Sequence, residues 1–238
     1  VDLTDFQAYW ALENVNDSHG SNTLTNVNTA TFSAAKVNNG VSLASASSQY
    51  LTIADNAPLS VADINFTMGG WFRATTKSAA MSMLSKWNTS SQREYELLYF
   101  NTADRFQFQV STNGTAVAAS VSADTLGSPS TATWYFVVCE HDADADEIRI
   151  RVNDGTPDAT AHSGGVRNGT SDFRIGARST AGVYWNGLID EVFFAKRLLT
   201  SAELTYLYNS GNGRTYPLAT VGGGLFRSPK LARTSLVG

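Results

Sequence analysis

Asp190 is the residue that most needs a chemical explanation. It stands in Gly187–Lys196 (GLIDEVFFAK), whose apolar residues Leu188, Ile189, Val192, Phe193 and Phe194 fall on both sides of an alternating pattern. That pattern suits a strand covered on both faces. In phase with Leu188 and Val192, the carboxylate is costly unless it is paired, hydrogen-bonded or bound to a cation. Two chemistries meet the need: capping of backbone N–H groups, and ligation of calcium. Glu94 and Glu96 also share one side of a strand. With no third carboxylate beside them, they read as a solvated strand face. Asp142–Glu147 (DADADE) has the alternating acids of a calcium loop. However, Glu147 stands where such a loop needs glycine and Asn153 where it needs glutamate, so a solvated hairpin loop is the better reading. The three histidines, His19, His141 and His162, lack zinc spacing. No phosphate-binding glycine loop or serine elbow is present. Cys139 is the single cysteine, which excludes an internal disulfide. Its apolar surroundings predict a buried, inert thiol.

The elements that must position these groups are strands. Alternation and β-rich composition predict them over Phe6–Leu12, Gly40–Ala44, Tyr50–Ile53, Asn65–Arg73, Met81–Trp87, Glu94–Phe100 and Arg105–Val110. Thr133–His141, Glu147–Asn153, Phe173–Ala177 and Gly187–Lys196 follow. In Arg105–Val110, Phe106, Phe108 and Val110 alternate with Arg105, Gln107 and Gln109, as in a sheet with one wet face. Trp71 and Trp185 read as packing residues, and Tyr184 as more exposed than its neighbour. Thr200-Ser201-Ala202-Glu203 has the form of a capping box. It opens a short helix with Leu204, Leu207 and Tyr208 on one stripe, and Gly211 and Gly213 are expected to end it.

The chain has 238 residues, 42% hydrophobic, enough for one large all-β domain. A net charge of −4 offers no basic face for nucleic acid. No apolar run approaches the ~18 residues of a membrane span, so no membrane insertion is expected. Arg214–Gly238 has four basic residues, no acid and three consecutive glycines. It reads as a linker followed by an arm.

The series Gly187, Ile189, Asp190, Glu191, Val192, Arg197, Leu199, Thr200, Glu203, Leu204, Leu207, Tyr208, Asn209 and Gly211 resembles a known signature. It is similar to the C-terminal signature of laminin G-like jelly rolls in the concanavalin A-like lectin/glucanase superfamily. The resemblance extends over residues 6–213 and takes in Tyr50–Ile53, Phe66–Phe72, Thr133–His141 and Phe173–Gly176. It implies an all-β fold: a two-sheet antiparallel jelly-roll sandwich over residues 1–213, with one short C-terminal helix, then the arm over 214–238. It also implies a structural Ca2+ held between Asp190 and the loop of Asn16, Asp17 and Gly20.

The superfamily includes glucanases, which place their carboxylates around the equivalent aspartate. Retaining glycosidases need two such groups. Leu188, Val192 and Phe193 occupy those positions here, so the resemblance implies a non-catalytic protein. Lectin sites on this architecture stack sugars on loop aromatics and bind hydroxyls with polar side chains. Trp87, Asn88, Arg93 and Tyr95 on one side, and Arg178 and Tyr184 on the other, are the glycan-binding candidates. Three readings stand. The first is a carbohydrate-binding or adhesion module. The second is a structural protein of an assembly, such as a virion decoration protein or an extracellular fibre subunit. It would form a homo-oligomer or join a larger assembly through an arm docking by Leu225, Phe226, Arg227, Lys230, Leu231 and Arg233. The third, a glycoside hydrolase, is disfavoured by the missing carboxylates. Either of the first two places the chain extracellularly or on a virion surface, with a glycan or protein partner.

Overall fold

Two antiparallel sheets face each other in the computed structural model, which describes residues 1–180 and 182–219. In chain order the strands are β1 (Phe6–Trp10), β2 (Thr25–Val27), β3 (Thr31–Ala34), β4 (Asn39–Leu43), β5 (Tyr50–Ile53), β6 (Phe66–Ala74), β7 (Met81–Asn88) and β8 (Gln92–Phe100). They continue with β9 (Arg105–Val110), β10 (Ala119–Ser122), β11 (Tyr135–Asp142), β12 (Glu147–Val152), β13 (Asp158–Ala161), β14 (Phe173–Ile175) and β15 (Gly187–Ala195). A single α-helix, α1, spans Ser201–Tyr208. The first sheet runs β13-β12-β11-β6-β15-β4-β3, with β1 also paired to β15; the second runs β10-β9-β8-β7-β14-β5-β2. This is the jelly-roll sandwich that the sequence implies.

The main core lies between the sheets and includes Trp10, Phe66, Phe72, Tyr95, Phe108, Ile175, Trp185 and Phe194. The first sheet is covered on its other face too. There Trp71, Phe136, Val138 and Phe193 meet Leu204 and Leu207 of α1 and Leu218 beyond it. Burial on both faces explains why β11 and β15 read as nearly continuous apolar runs. Trp71 and Trp185 are buried as packing residues, and Tyr184 is the more exposed of its pair.

Helix α1 starts on the expected box. Thr200 Oγ1 accepts from the Glu203 N–H at 3.2 Å, and Glu203 Oε2 accepts from the Thr200 N–H at 2.9 Å. Glu203 also takes two hydrogen bonds from Arg197, at 2.8 and 2.9 Å. The helix ends earlier than the glycines suggest: Asn209 adopts the left-handed conformation (φ 51°) and caps it. Asparagine tolerates that region better than most residues.

Three further points depart from the sequence reading. The strands β2, β3, β10 and β13 are only three or four residues long, too short for alternation to reveal. In β15 the register against β6 shifts between Asp190 and Phe193, with Glu191 at φ 49°. This bulge breaks the phase between Asp190 and Val192, and only Val192 joins the inter-sheet core. Finally, Arg214–Ala219, read as the start of the arm, packs on the domain. Tyr216 sits 5.7 Å from the Tyr9 ring, Arg214 Nε donates to Tyr206 O at 2.8 Å, and Leu218 is buried. The docking residues Leu225, Phe226, Arg227, Lys230, Leu231 and Arg233 lie outside the described residues.

Candidate functional site

Strands β8 and β9 build the site by simple alternation. Tyr95, Leu97, Tyr99, Phe106, Phe108 and Val110 enter the core. Glu96, Leu98, Gln107 and Gln109 between them lie on the face turned away from it. Glu94 and Glu96 are not a solvated strand face: both are fully buried. Arg178, which follows β14, reaches over Glu96 and grips it twice, Nε to Oε1 at 2.9 Å and Nη2 to Oε2 at 2.6 Å. Gln109 Nε2 donates to the same Oε2 at 2.6 Å. This paired, charge-assisted arrangement fixes the guanidinium plane. The Arg178 guanidinium lies 6.0 Å from the Trp87 ring centre and that of Arg93 5.8 Å from it, within cation–π range.

Beside this frame runs a groove of about 420 Å3 between Ala80, Leu98, Phe100, Gln107, Gln109, Val117, Ser120 and Arg178. Val117 is 47% exposed and is the one large hydrophobic side chain so exposed among the described residues. Gln107 is held by donating to Ser122 Oγ at 3.2 Å. The groove therefore pairs amides and a guanidinium with an apolar strip. That mixture suits a ligand carrying hydroxyls around C–H faces.

The structure gathers Trp87, Arg93 and Arg178 at one place, with Asn88 alongside at 3.5 Å from Ser179. It corrects two assignments. Trp87 is 2% exposed, its ring flanked by both arginines, and cannot stack on a sugar; Tyr95 is fully buried, its hydroxyl donating to Leu59 O at 2.8 Å. Tyr184 lies elsewhere, 6.2 Å from the Tyr50 ring, and lines a second cavity of about 360 Å3 with Ser45, Ser48, Thr76 and Ser78. The two cavities share Ala80 as a wall. Gln109, Leu98 and Val117 were not among the candidates. The polar phase of Arg105, Gln107 and Gln109 was the signal that marked their face.

The residues named for calcium do not fit a shared ion. Asp17 Oδ1 accepts from the N–H groups of Tyr9 (3.0 Å) and His19 (2.9 Å). Its Oδ2 accepts from Asn22 N and Asn22 Nδ2, both at 3.0 Å. Four donors fill the four lone-pair positions of a carboxylate. Against the cost of burial, these backbone donors hold Asp17 below the usual carboxylate range. Asn16 and Gly20 are exposed on the same turn. Asp190 Oδ2 accepts from Val37 N at 2.8 Å, the capping role, while its Oδ1 has no partner. Among the described residues no three carboxylates, histidines or cysteines converge as ligands. Burial pushes Asp190 up to about 7 and the adjacent Glu191 up to about 8, the latter against the pull of the Tyr9 and Thr215 hydroxyls. Cys139 is fully buried, and burial raises its thiol well above the ordinary value. Its burial is as expected.

The sequence profile of a laminin G family, described as the concanavalin A-like lectin/glucanases superfamily, matches residues 45–205, more than half of the chain. No curated protein matches the sequence. Among solved structures, domain 4 of AbnA, an extracellular GH43 arabinanase of Geobacillus stearothermophilus, was determined with arabinotriose. It is similar with a TM-score of 0.63 at 13% identity, over 84% of this chain and 97% of that one. The binding domain of botulinum neurotoxin serotype G gives 0.69 at 13% identity, over 87% of this chain and 51% of that one. The binding domain of Paraclostridial mosquitocidal protein 1 gives 0.67 at 11%, over 87% and 52%. The chain thus spans about half the length of the toxin binding domains. At these identities the likeness is one of fold.

Proposed function

From the premise that this chain belongs to the concanavalin A-like lectin/glucanases superfamily, we propose that it is a non-catalytic carbohydrate-binding module. Its ligand lies in the groove over Leu98, Gln107, Gln109, Val117 and Arg178. One observation carries the reading. A buried Glu96–Arg178–Gln109 frame holds polar groups rigidly beside the exposed Val117. Pre-ordered polar groups beside an apolar strip lower the ordering cost of binding a sugar. The arabinotriose complex of the AbnA domain, which this chain covers almost entirely, supports an oligosaccharide as the ligand. The absence of catalysis rests on Leu188, Val192 and Phe193 standing where glucanase carboxylates belong. As a glycan-binding module the chain would act in adhesion on an extracellular or virion surface, joined to a larger assembly. The test is a glycan array followed by titration calorimetry on wild type, Val117→Glu and Gln107→Ala. Specific binding lost in both variants, with unchanged thermal melting, is the expected result. Binding untouched by either variant would remove the groove from the account, and silence on the array would remove the module reading itself.

A further inference from the structure

A second set of charges lies apart from the groove and has no part in it. Lys86 on β7 is fully buried, with Nζ 2.6 Å from Asp55 Oδ1 and 2.8 Å from Glu94 Oε1. Glu94 is fully buried as well, and its Oε2 has no partner. Tyr95, the cross-strand partner of Lys86, and Leu59 are fully buried close by and joined by the Tyr95 hydroxyl. Asp55 is 30% exposed and opens on a cavity of about 480 Å3 with Ser60, Gly169 and Lys196. Ser60 Oγ donates to Asp55 Oδ1 at 2.9 Å, holding the carboxyl in place. A buried ion triad of this kind contributes little net stability, because desolvation offsets the attraction. What it does provide is a fully buried amine in contact with one carboxyl that opens on the cavity and with a second that is itself fully buried. Burial pushes that second carboxyl, Glu94, up to about 7 against the pull of the Lys86 ammonium, so it can both take and give a proton near neutrality.

We propose that Lys86 and Asp55 join in an intramolecular isopeptide bond, Lys86 Nζ to Asp55 Cγ, with Glu94 as the general acid–base. The Glu94 carboxylate takes a proton from the Lys86 ammonium. The freed amine attacks Asp55 Cγ as Glu94 returns that proton to an Asp55 oxygen. Glu94 then takes a second proton from the attached nitrogen and delivers it to the same oxygen. The C–O bond breaks, water departs into the cavity beside Asp55, and an amide N–H remains facing Glu94. Three ammonium protons end as one amide hydrogen and one water, Glu94 is regenerated as a carboxylate, and no oxidant or cofactor is needed. Holding amine and carboxyl in contact supplies the entropy that makes such a condensation feasible. The product ties the segment after β5 to β7, two strands of the second sheet that are separated by β14.

The experiment is intact-mass spectrometry of the denatured full chain after prolonged incubation at neutral pH, with peptide mapping, on wild type, Glu94→Gln and Lys86→Arg. The expected wild-type mass is one water below the sequence mass, with a branched peptide joining Asp55 to Lys86. Both variants should keep the full sequence mass. Glu94→Gln preserves size and hydrogen bonding, and its circular dichroism shows whether it folds. A wild-type chain at full sequence mass, with Lys86 acylated by an amine reagent after denaturation, overturns the proposal. So does a water loss that persists in Glu94→Gln or maps to another site, such as the Asp154-Gly155 pair.

Discussion

Replacing Glu191 by glutamine should stabilise the protein at pH 8 and leave it unchanged at pH 4. Glu191 is 1% exposed, and burial raises its carboxyl from 4.5 to about 8, against the opposing pull of the nearby Tyr9 and Thr215 hydroxyls. The folded state therefore holds this proton where the unfolded chain has released it. Stability that is fully present below the unfolded value is lost as pH rises toward the folded one. Over that interval the loss is about 1.4 kcal/mol per pH unit for one carboxyl, which sets a ceiling of about 5 kcal/mol by pH 8. Asp190 next to it, raised to about 7, titrates in the same interval, so the two lose their protons as a coupled pair. Glutamine keeps the shape and carries no proton to lose. Urea denaturation at each pH from 4 to 9 reads the difference directly. Wild type should lose stability steadily above pH 5, and Glu191→Gln should follow a shallower line, with the two meeting at pH 4. Parallel profiles would show that the carboxylate is ionised and paired in the fold, against the reasoning. Repeating the series with calcium and with a chelator should change neither line. Calcium-dependent recovery at pH 8 that Asp190→Asn abolishes would overturn the conclusion that these residues do not fit the ion.

Three other changes have defined outcomes. Thr200→Ala removes the α1 cap and should cost about 1 kcal/mol in chemical denaturation. If it costs nothing, the Glu203–Arg197 pair alone secures the helix start. Gly187→Ala places a Cβ against Arg73 O, at φ 148°. It should push β15 from β6 and lower the melting temperature sharply, and a normal melting curve would contradict the close approach. Asp17→Asn removes a carboxylate held low by backbone N–H groups. Wild type should lose this contribution as pH falls through the acid range, so the two proteins should converge in stability toward pH 2.

The sandwich was legible because apolar alternation and doubly buried runs are direct consequences of sheet geometry. The capping box at Thr200 was equally direct, since its four residues act locally. What could not be read is what depends on distant partners. Trp87 looks like a loop aromatic until Arg93 and Arg178 close on it, and Arg178 lies 82 residues from the Glu96 it pairs with. The bulge at Glu191 leaves no mark in composition, because it arises from register against β6 rather than from residue type. Glu94 and Glu96 were misread for the same reason: alternate acids look solvated until Lys86 and Arg178 are placed on them. Gln107 and Gln109 were recognised as a polar face, but that this face floors a groove follows only from Val117 and Arg178 arriving above it.

The position of β15 also sets a timetable for synthesis. It is the partner of β1, β4 and β6, yet it follows all three in the chain, with Trp10 waiting for Val192. At ~5–20 residues per second, β1 spends roughly 10–40 s without its neighbour. Once β11 has been made, β6, apolar on both faces, has β11 on one side and an open edge on the other until β15 follows. An unpaired apolar edge is a template for association with other chains. Until β15 closes the sheet, that edge stays open to other chains.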